Sequence, residues 1–244
     1  MNLKNKTALI TGSGIRLGKA IALALADRGV NLAIHYNSSK KQAEEVQNLA
    51  KQKGVKAELF QADLSDLTAI EPFFDQVHTD LGQVDILINN ASVYTSGSGM
   101  NTNASTLNAT FSLNLFAPIL LTRKFALQLP EDKNGKVINI SDAKTFVTKK
   151  DHFAYRLTKY ALNQMTRMFA LELAPRITVN AIAPGIMLPL AGFEHIDMDE
   201  LAEQRIPLKM TGSPEIVVEN VIHILRQDFM TGSIITVDGG ESLL

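Results

Sequence analysis

Tyr155 and Lys159 stand four residues apart in the stretch "AYRLTK". On a helix, residues i and i+4 share a face. A free tyrosine titrates near about 10, too high for efficient proton transfer around neutrality. A neighbouring ammonium stabilises the phenolate and is expected to lower that value. Such a pair can hand a proton to an atom that receives a hydride. The spacing alone is common by chance, and it gains meaning from a second cluster. In "TGSGIRLG", residues 11–18, Gly12, Gly14 and Gly18 permit a tight turn and close approach of backbone to phosphate. A helix N-terminus directly after such a turn favours phosphate oxygens. A dinucleotide turn and a proton donor in one chain imply hydride transfer.

Alternating elements must position these residues. Strand-like runs fall at 7–11, 30–36, 56–64, 84–92, 136–141, 177–185 and 233–240. Between them the patterns predict helices over 15–28, 39–53, 66–81 (with Pro72 in its first turns), 104–129, 152–174 and 214–227. Residues 186–213 are less regular, rich in Met and Pro. Continuous apolar strands separated by helices predict an α/β fold: a Rossmann-type, doubly wound parallel sheet of seven strands with helices on both faces. No linker is visible, so residues 1–244 are expected to form a single domain.

The end of the second strand bears on the cofactor. A ribose 2′-hydroxyl is usually held by a carboxylate about 20 residues after the glycines. "HYNSSKK", residues 35–41, has no carboxylate; it offers neutral donors and the lysines Lys40 and Lys41. With Arg16 these suit a 2′-phosphate, so NADPH is the expected cofactor. Arg16 is also placed to grip the pyrophosphate or the substrate. Asp63 could accept a hydrogen bond from adenine or cap the next helix. Asn90 follows the fourth strand, at the sheet edge where ligands bind in open α/β folds.

Composition sets outer bounds. The 244 residues carry a net charge of −1, which recommends neither nucleic acid nor an anionic membrane as partner. There is no cysteine, so disulfides, thiolate metal sites and cysteine nucleophiles are excluded, and no metal site is expected. The N-terminus lacks a signal-peptide pattern and no apolar run approaches 18 residues, so a cytoplasmic location is the expectation.

Over its whole length the chain resembles a short-chain dehydrogenase/reductase. The resemblance rests on "TGSGIRLG", "QADL", "INNAS", "SLNLFAP", "VINIS", Tyr155-x-x-x-Lys159, "VNAIAPG" and "TVDGG", in that order and spacing. It implies that Asn114 bends its helix and holds a water in a proton relay. It also implies that Lys159 binds the nicotinamide ribose. Cofactor contacts are implied for Gly12, Gly14, Arg16, Leu17, Gly18, His35, Tyr36, Asn37, Ser38, Asp63, Leu64, Asn90, Ala91, Ser92, Tyr155, Lys159, Pro184 and Gly185. A homotetramer of 222 symmetry is implied, built on the helices near 104–129 and 152–174. The apolar character of "ALNQMTRMFALEL" on several faces agrees with a second covering layer.

The family usually places a serine 13 residues before the tyrosine; here that position is Asp142, and Ser141 is one residue off. An aspartate there resembles the pteridine reductase branch. So do Arg16 in the glycine turn, "HY" closing the second strand, and an aromatic, Tyr94, two residues after "NNAS". By that resemblance Arg16, Ser92, Tyr94, Asp142 and Tyr155 bind substrate, with a pterin between nicotinamide and Tyr94. A pterin presents ring nitrogens and an amino group, so it gains from a carboxyl partner that shares a proton with Tyr155. The implied reaction is NADPH-dependent reduction of a C=N bond. The sequence departs from the branch at Tyr94, where phenylalanine is expected, and after Gly185, where the wider family's threonine is missing. Met187, Leu188 and Phe193 could line a flat apolar slot or pack as a lid. Two other readings stand beside this one: a reductase of a 3-oxoacyl thioester or other carbonyl compound, and a non-catalytic NADP(H)-binding sensor. The second predicts a damaged set at Asn114, Tyr155 and Lys159, and all three are present.

Overall fold

The structure is a computed structural model that describes residues 1–189 and 195–244. Seven parallel strands form one sheet in the order β3-β2-β1-β4-β5-β6-β7. They are β1 (Thr7–Ile10), β2 (Asn31–Tyr36), β3 (Ala57–Gln61), β4 (Ile86–Asn89), β5 (Gly135–Ile140), β6 (Ile177–Pro184) and β7 (Ile234–Val237). The helices are α1 (Arg16–Ala26), α2 (Lys40–Gln52), α3 (Ile70–Leu81), α4 (Ala104–Phe111), α5 (Ala117–Gln128), α6 (Phe153–Glu172), α7 (Met198–Arg205) and α8 (Pro214–Arg226).

Strand side chains alternate between two cores, as a period of two requires. Ile10, Ile34, Ile88, Ile138 and Ile182 pack with α1, α2 and α8. Leu9, Ala33, Leu87, Val137 and Val179 pack with α3, α5 and α6. Both faces are therefore dry, which is why the strands read as continuous apolar runs. Each fully buried Leu or Ile contributes about 1.5–3 kcal/mol relative to exposure.

β1 pairs with β2 on one side and β4 on the other. The chain order reverses there, opening a crevice at the carboxyl ends of β1 and β4, the place where such sheets bind ligands. The glycine turn follows β1, Asn90 follows β4, and Asp142 and Tyr155 lie beyond β5.

Three expectations need correction. The helix expected over 104–129 is interrupted: residues Ser112–Phe116 widen into a π-helical turn between α4 and α5. The helical residues 104–128 have the length and mean hydropathy of a membrane-crossing helix, but they contain no apolar run of 18 residues, being broken by Ser, Thr, Asn, Arg and Lys. Within them Leu121, Thr122 and Phe125 are buried against the sheet, so this core packing accounts for their apolar character. Finally, the irregular region 186–213 contains α7, whose N-cap Asp197 accepts hydrogen bonds from the backbone of Asp199 and Glu200. Met187 turns toward Gly212 and the α8-side core rather than into an open slot. Phe193 lies outside the described residues.

Candidate active site

The glycine turn is held by its neighbours rather than by its own sequence. Gly12 has φ +65°, a left-handed conformation that a side chain would strain. A Cβ on Gly18 would stand 2.2 Å from the Gly12 carbonyl oxygen and 2.7 Å from Asn90 Nδ2, so only glycine fits. Asn90 Nδ2 donates to the Thr11 and Gly12 carbonyls at 2.8 and 3.2 Å. Thr11 Oγ1 accepts from the backbone N–H groups of Asn90 and Ala91, both at 2.9 Å. His35 Nδ1 accepts from Gly12 N at 2.9 Å, and Nε2 donates to Ala62 O at 3.1 Å. The ring must be neutral to do both. Burial pushes its pKa down to about 4, against weaker upward pulls from the Ala62 carbonyl and the Asp63 carboxylate. His35 and Asn90 thus brace the turn with their side-chain polar groups.

Beside the turn lies a groove of about 410 Å³. Its walls include Gly12, Arg16, Leu17, Gly18, His35, Tyr36, Asn37, Ser38, Asp63, Leu64, Asn90, Ala91 and Ser92, all residues for which the resemblance implies cofactor contact, and also Ile15, Ser39 and Leu113. The closing end of β2 supplies hydroxyl and amide groups and no carboxylate, which suits a 2′-phosphate. Lys40 and Lys41 are exposed on α2 and do not line the groove; the Lys40 ammonium faces Glu44 at 4.0 Å. Arg16, at φ +52°, donates to the Pro189 carbonyl at 2.7 Å, tying the turn to the segment after β6. Asp63 borders the groove and one of its oxygens accepts from Ser65 N and Oγ, but it does not cap the next helical turn: that cap is Asp66, which accepts from Thr68 N at 3.0 Å. Gly14 and Gly185 serve packing: a Cβ at Gly14 would press on Ser39 and Ala43 of the α2 start, and one at Gly185 on Asp238. Pro184 closes β6 against β7.

The second cluster forms where α6 crosses the end of β5. Tyr155 Oη donates to Asp142 Oδ2 at 2.6 Å. Asp142 Oδ1 accepts from Lys144 N at 2.7 Å, capping the short 3₁₀ turn 143–146 and fixing the carboxylate. Ser141 is turned away and buried: its Oγ donates to Asn163 Oδ1 at 2.6 Å. Asn163 Nδ2 donates to Thr145 Oγ1, which donates to the Asp142 carbonyl, at 2.9 and 2.8 Å. The alternative in which Ser141 takes the place beside the phenol is therefore excluded.

The electrostatics differ from the simple tyrosine–lysine picture. Lys159 Nζ sits 5.6 Å from the Tyr155 ring centre and donates to Ile140 O at 2.8 Å. Burial lowers its pKa to about 8, partly offset by Asp142. Tyr155 is pushed well above the ordinary tyrosine value, by burial first and then by the charge and hydrogen bond of Asp142. The expectation of a lowered phenol pKa is thus reversed, because the phenol is buried and, in addition, the carboxylate is in contact while the ammonium is not.

Asn114 sits in the π-helical turn and is buried. Its Oδ1 accepts from Val93 N at 2.8 Å and its Nδ2 donates to Val93 O at 2.9 Å. Nδ2 also approaches Thr158 Oγ1 at 3.3 Å. Asn114 thereby anchors the loop that carries Ser92 and Tyr94. Tyr94 stacks on His152 (ring centres 4.2 Å apart, 24° between planes) and meets Tyr155 edge-on at 4.7 Å. Its hydroxyl accepts from Lys144 Nζ at 2.7 Å. One face of the Tyr94 ring is thus covered by His152. Lys144, His152, Thr145, Thr158 and Asn163 carry no motif in the sequence. The α6 spacing 155, 159, 163 was the available signal for Asn163.

Fold and site define an oxidoreductase class, and residues 12–242 match the family model described as enoyl-(acyl carrier protein) reductase; the chain belongs to the short-chain dehydrogenase/reductase family. Among curated relatives, the 3-oxoacyl-[acyl-carrier-protein] reductase of Staphylococcus aureus is 33% identical over 242 residues, covering 96% of this chain and 97% of its own. Among solved structures, the FolM alternative dihydrofolate reductase 1 from Brucella canis, complexed with NADP, superposes with a TM-score of 0.92 at 32% identity, over 100% of this chain and 97% of that one. The landomycin C-6 ketoreductase with bound NADP and rabelomycin gives a TM-score of 0.89 at 27% identity, over 100% and 98%.

Proposed function

We propose that this protein is an NADPH-dependent reductase of a pterin or a closely related flat heterocycle, including a dihydrofolate, acting on a C=N bond. The observation that carries the reading is the 2.6 Å hydrogen bond from Tyr155 to Asp142, with Ser141 turned away. A ketone reductase of this family orients its carbonyl oxygen with a hydroxyl at that position; a carboxylate would repel the developing oxyanion. A heterocycle carrying N–H groups finds an acceptor there. The NADP-bound alternative dihydrofolate reductase of Brucella canis supports the same choice.

NADPH, when bound, supplies the hydride. Gly12, Gly18, Asn37, Ser38 and Arg16 would hold its phosphates, and Lys159 its nicotinamide ribose. The closeness of Gly18 to Gly12, which leaves no room for a Cβ, keeps the backbone amides within reach of phosphate. Tyr155 gives its proton to the ring nitrogen beside the carbon that receives hydride. Burial and the Asp142 charge oppose a phenolate, so the two residues work as one acid. Asp142, half-exposed, takes a proton from solvent and returns it to the phenol. Asn114 would carry the water that joins this relay. Arg16 would face cofactor and substrate together, so Arg16→Gly should weaken both.

The second reading, a 3-oxoacyl thioester reductase, is favoured by the Staphylococcus aureus relative. Asp142→Ser separates the two. On the pterin reading, kcat/KM for a dihydropterin falls at least about tenfold, the loss of one charge-assisted hydrogen bond, and ketone reduction falls less. Unchanged pterin turnover in that variant contradicts the reading.

A further inference from the structure

We infer that Tyr94 and Lys144 form a donor pair that recognises an oxygen on the substituent next to the reacting bond of the substrate, with Lys144 as a positioning residue. Lys144 is pinned at its backbone: its N–H donates to Asp142 Oδ1 at 2.7 Å and its carbonyl accepts from Arg156 at 3.0 Å. Its half-buried ammonium reaches Tyr94 Oη at 2.7 Å. Among the described residues no carboxylate lies within ion-pair distance of it. An ammonium only donates, so the Tyr94 oxygen is the acceptor and its own O–H must point elsewhere. No acceptor among the described residues receives that O–H.

The ring itself cannot turn freely. His152 lies stacked against it, with Nδ1 fixed on the Thr95 carbonyl at 2.9 Å, and Tyr155 packs against it in a T-shaped contact. The result is a donor with no partner among the described residues, beside the proton-giving phenol, with further ammonium hydrogens behind it. Sites of this kind discriminate strongly, because a ligand that lacks the acceptor leaves partly desolvated donors unpaired. The chemical class recognised is a hydroxyl or carbonyl oxygen. Either substrate reading provides one: a hydroxylated side chain on a pterin, or the thioester carbonyl of a 3-oxoacyl compound. The inference rests on the proposed function only for the first choice of probe.

The test compares 6-hydroxymethyl-7,8-dihydropterin with 6-methyl-7,8-dihydropterin. The wild-type enzyme should prefer the hydroxymethyl compound by about tenfold in kcat/KM, expressed in KM, as one hydrogen bond allows. Tyr94→Phe keeps the ring and should bring the preference to about one. Lys144→Met should do the same, the double variant should go no further, and Lys144→Arg should restore most of it. A wild type without preference, a Tyr94→Phe enzyme that keeps it, or an equal loss on both pterins, as a merely structural role would give, overturns the inference. If the wild type reduces neither pterin, the pterin reading fails separately, and the same ratio is taken between an acetoacetyl thioester and a plain 2-alkanone. Turnover of none of the four contradicts both.

Discussion

Three buried or half-buried side chains decide what this site can do, and their neighbours decide their protonation. Tyr155 keeps its proton because burial and Asp142 both oppose the phenolate. Removing the hydroxyl removes the acid: Tyr155→Phe should lower kcat by at least about 10²-fold, the usual reach of general acid catalysis, with the NADPH dissociation constant nearly intact by fluorescence titration. A comparable loss of NADPH binding would contradict the assignment. Two buried bases contribute to the pH dependence of stability. The folded pKa of His35, about 4, lies below its ordinary 6.5, and that of Lys159, about 8, below its ordinary 10.5. In each case the unfolded chain binds more protons between the two values, so stability is lost as pH falls through that window. The windows are 10.5 to 8 for Lys159 and 6.5 to 4 for His35, each worth on the order of 3 kcal/mol. Thermal melts of the wild type against Lys159→Met and His35→Gln should show each slope missing from its variant; parallel curves would refute the assignment. Asp142 was legible in the sequence by its distance from Tyr155. Lys144 and His152 were not: their importance arises from a 3₁₀ turn and a left-handed residue at φ +50° that bring them to Tyr94.

The elements were legible wherever an apolar period was uninterrupted, which covers all seven strands and the long helices. The π-helical turn was legible only through the family resemblance, which implied a bend at Asn114; "SLNLF" itself carries the same apolar pattern a continuous α-helix would. Its cause is tertiary: Asn114 saturates the backbone of Val93, 21 residues away in sequence. Asn114→Leu should therefore lower the melting temperature and kcat together, since two backbone polar groups lose partners at about 1–3 kcal/mol each; an unchanged melt would show the anchor to be dispensable. α7 went unread because its apolar face is thin and its signal is a cap, Asp197. The glycine turn was legible as a motif, but its contacts were not. A methyl group on Gly18 meets the Gly12 carbonyl at 2.2 Å, so Gly18→Ala should displace the turn and weaken NADPH binding at least about tenfold, a backbone-strain cost above 1 kcal/mol. Calorimetric titration with NADPH checks it, and wild-type affinity in the variant would contradict this packing account.

At the scale of the molecule, the reversal of strand order between β1 and β4 brings the glycine turn to the same edge of the sheet as the Asp142–Tyr155 pair. That arrangement was legible from the alternation of elements, whereas the choice of substrate depends on which of two adjacent residues turns inward. The outer faces of α5 and α6 leave Leu127, Met168 and Leu171 exposed, at 67%, 70% and 84%. Four chains packed through these helices would cover them, so sedimentation should give a tetramer that Leu171→Glu dissociates; a monomeric wild type would contradict this. The central claim, that the carboxylate beside Tyr155 selects a C=N bond in a flat heterocycle, is tested most directly by NADPH oxidation in the intact enzyme. Dihydropterin and acetoacetyl thioester are supplied separately at equal concentration. The account predicts a kcat/KM for the dihydropterin at least about tenfold above that for the thioester, the ratio set by one charge-assisted contact. Faster turnover of the thioester would contradict it.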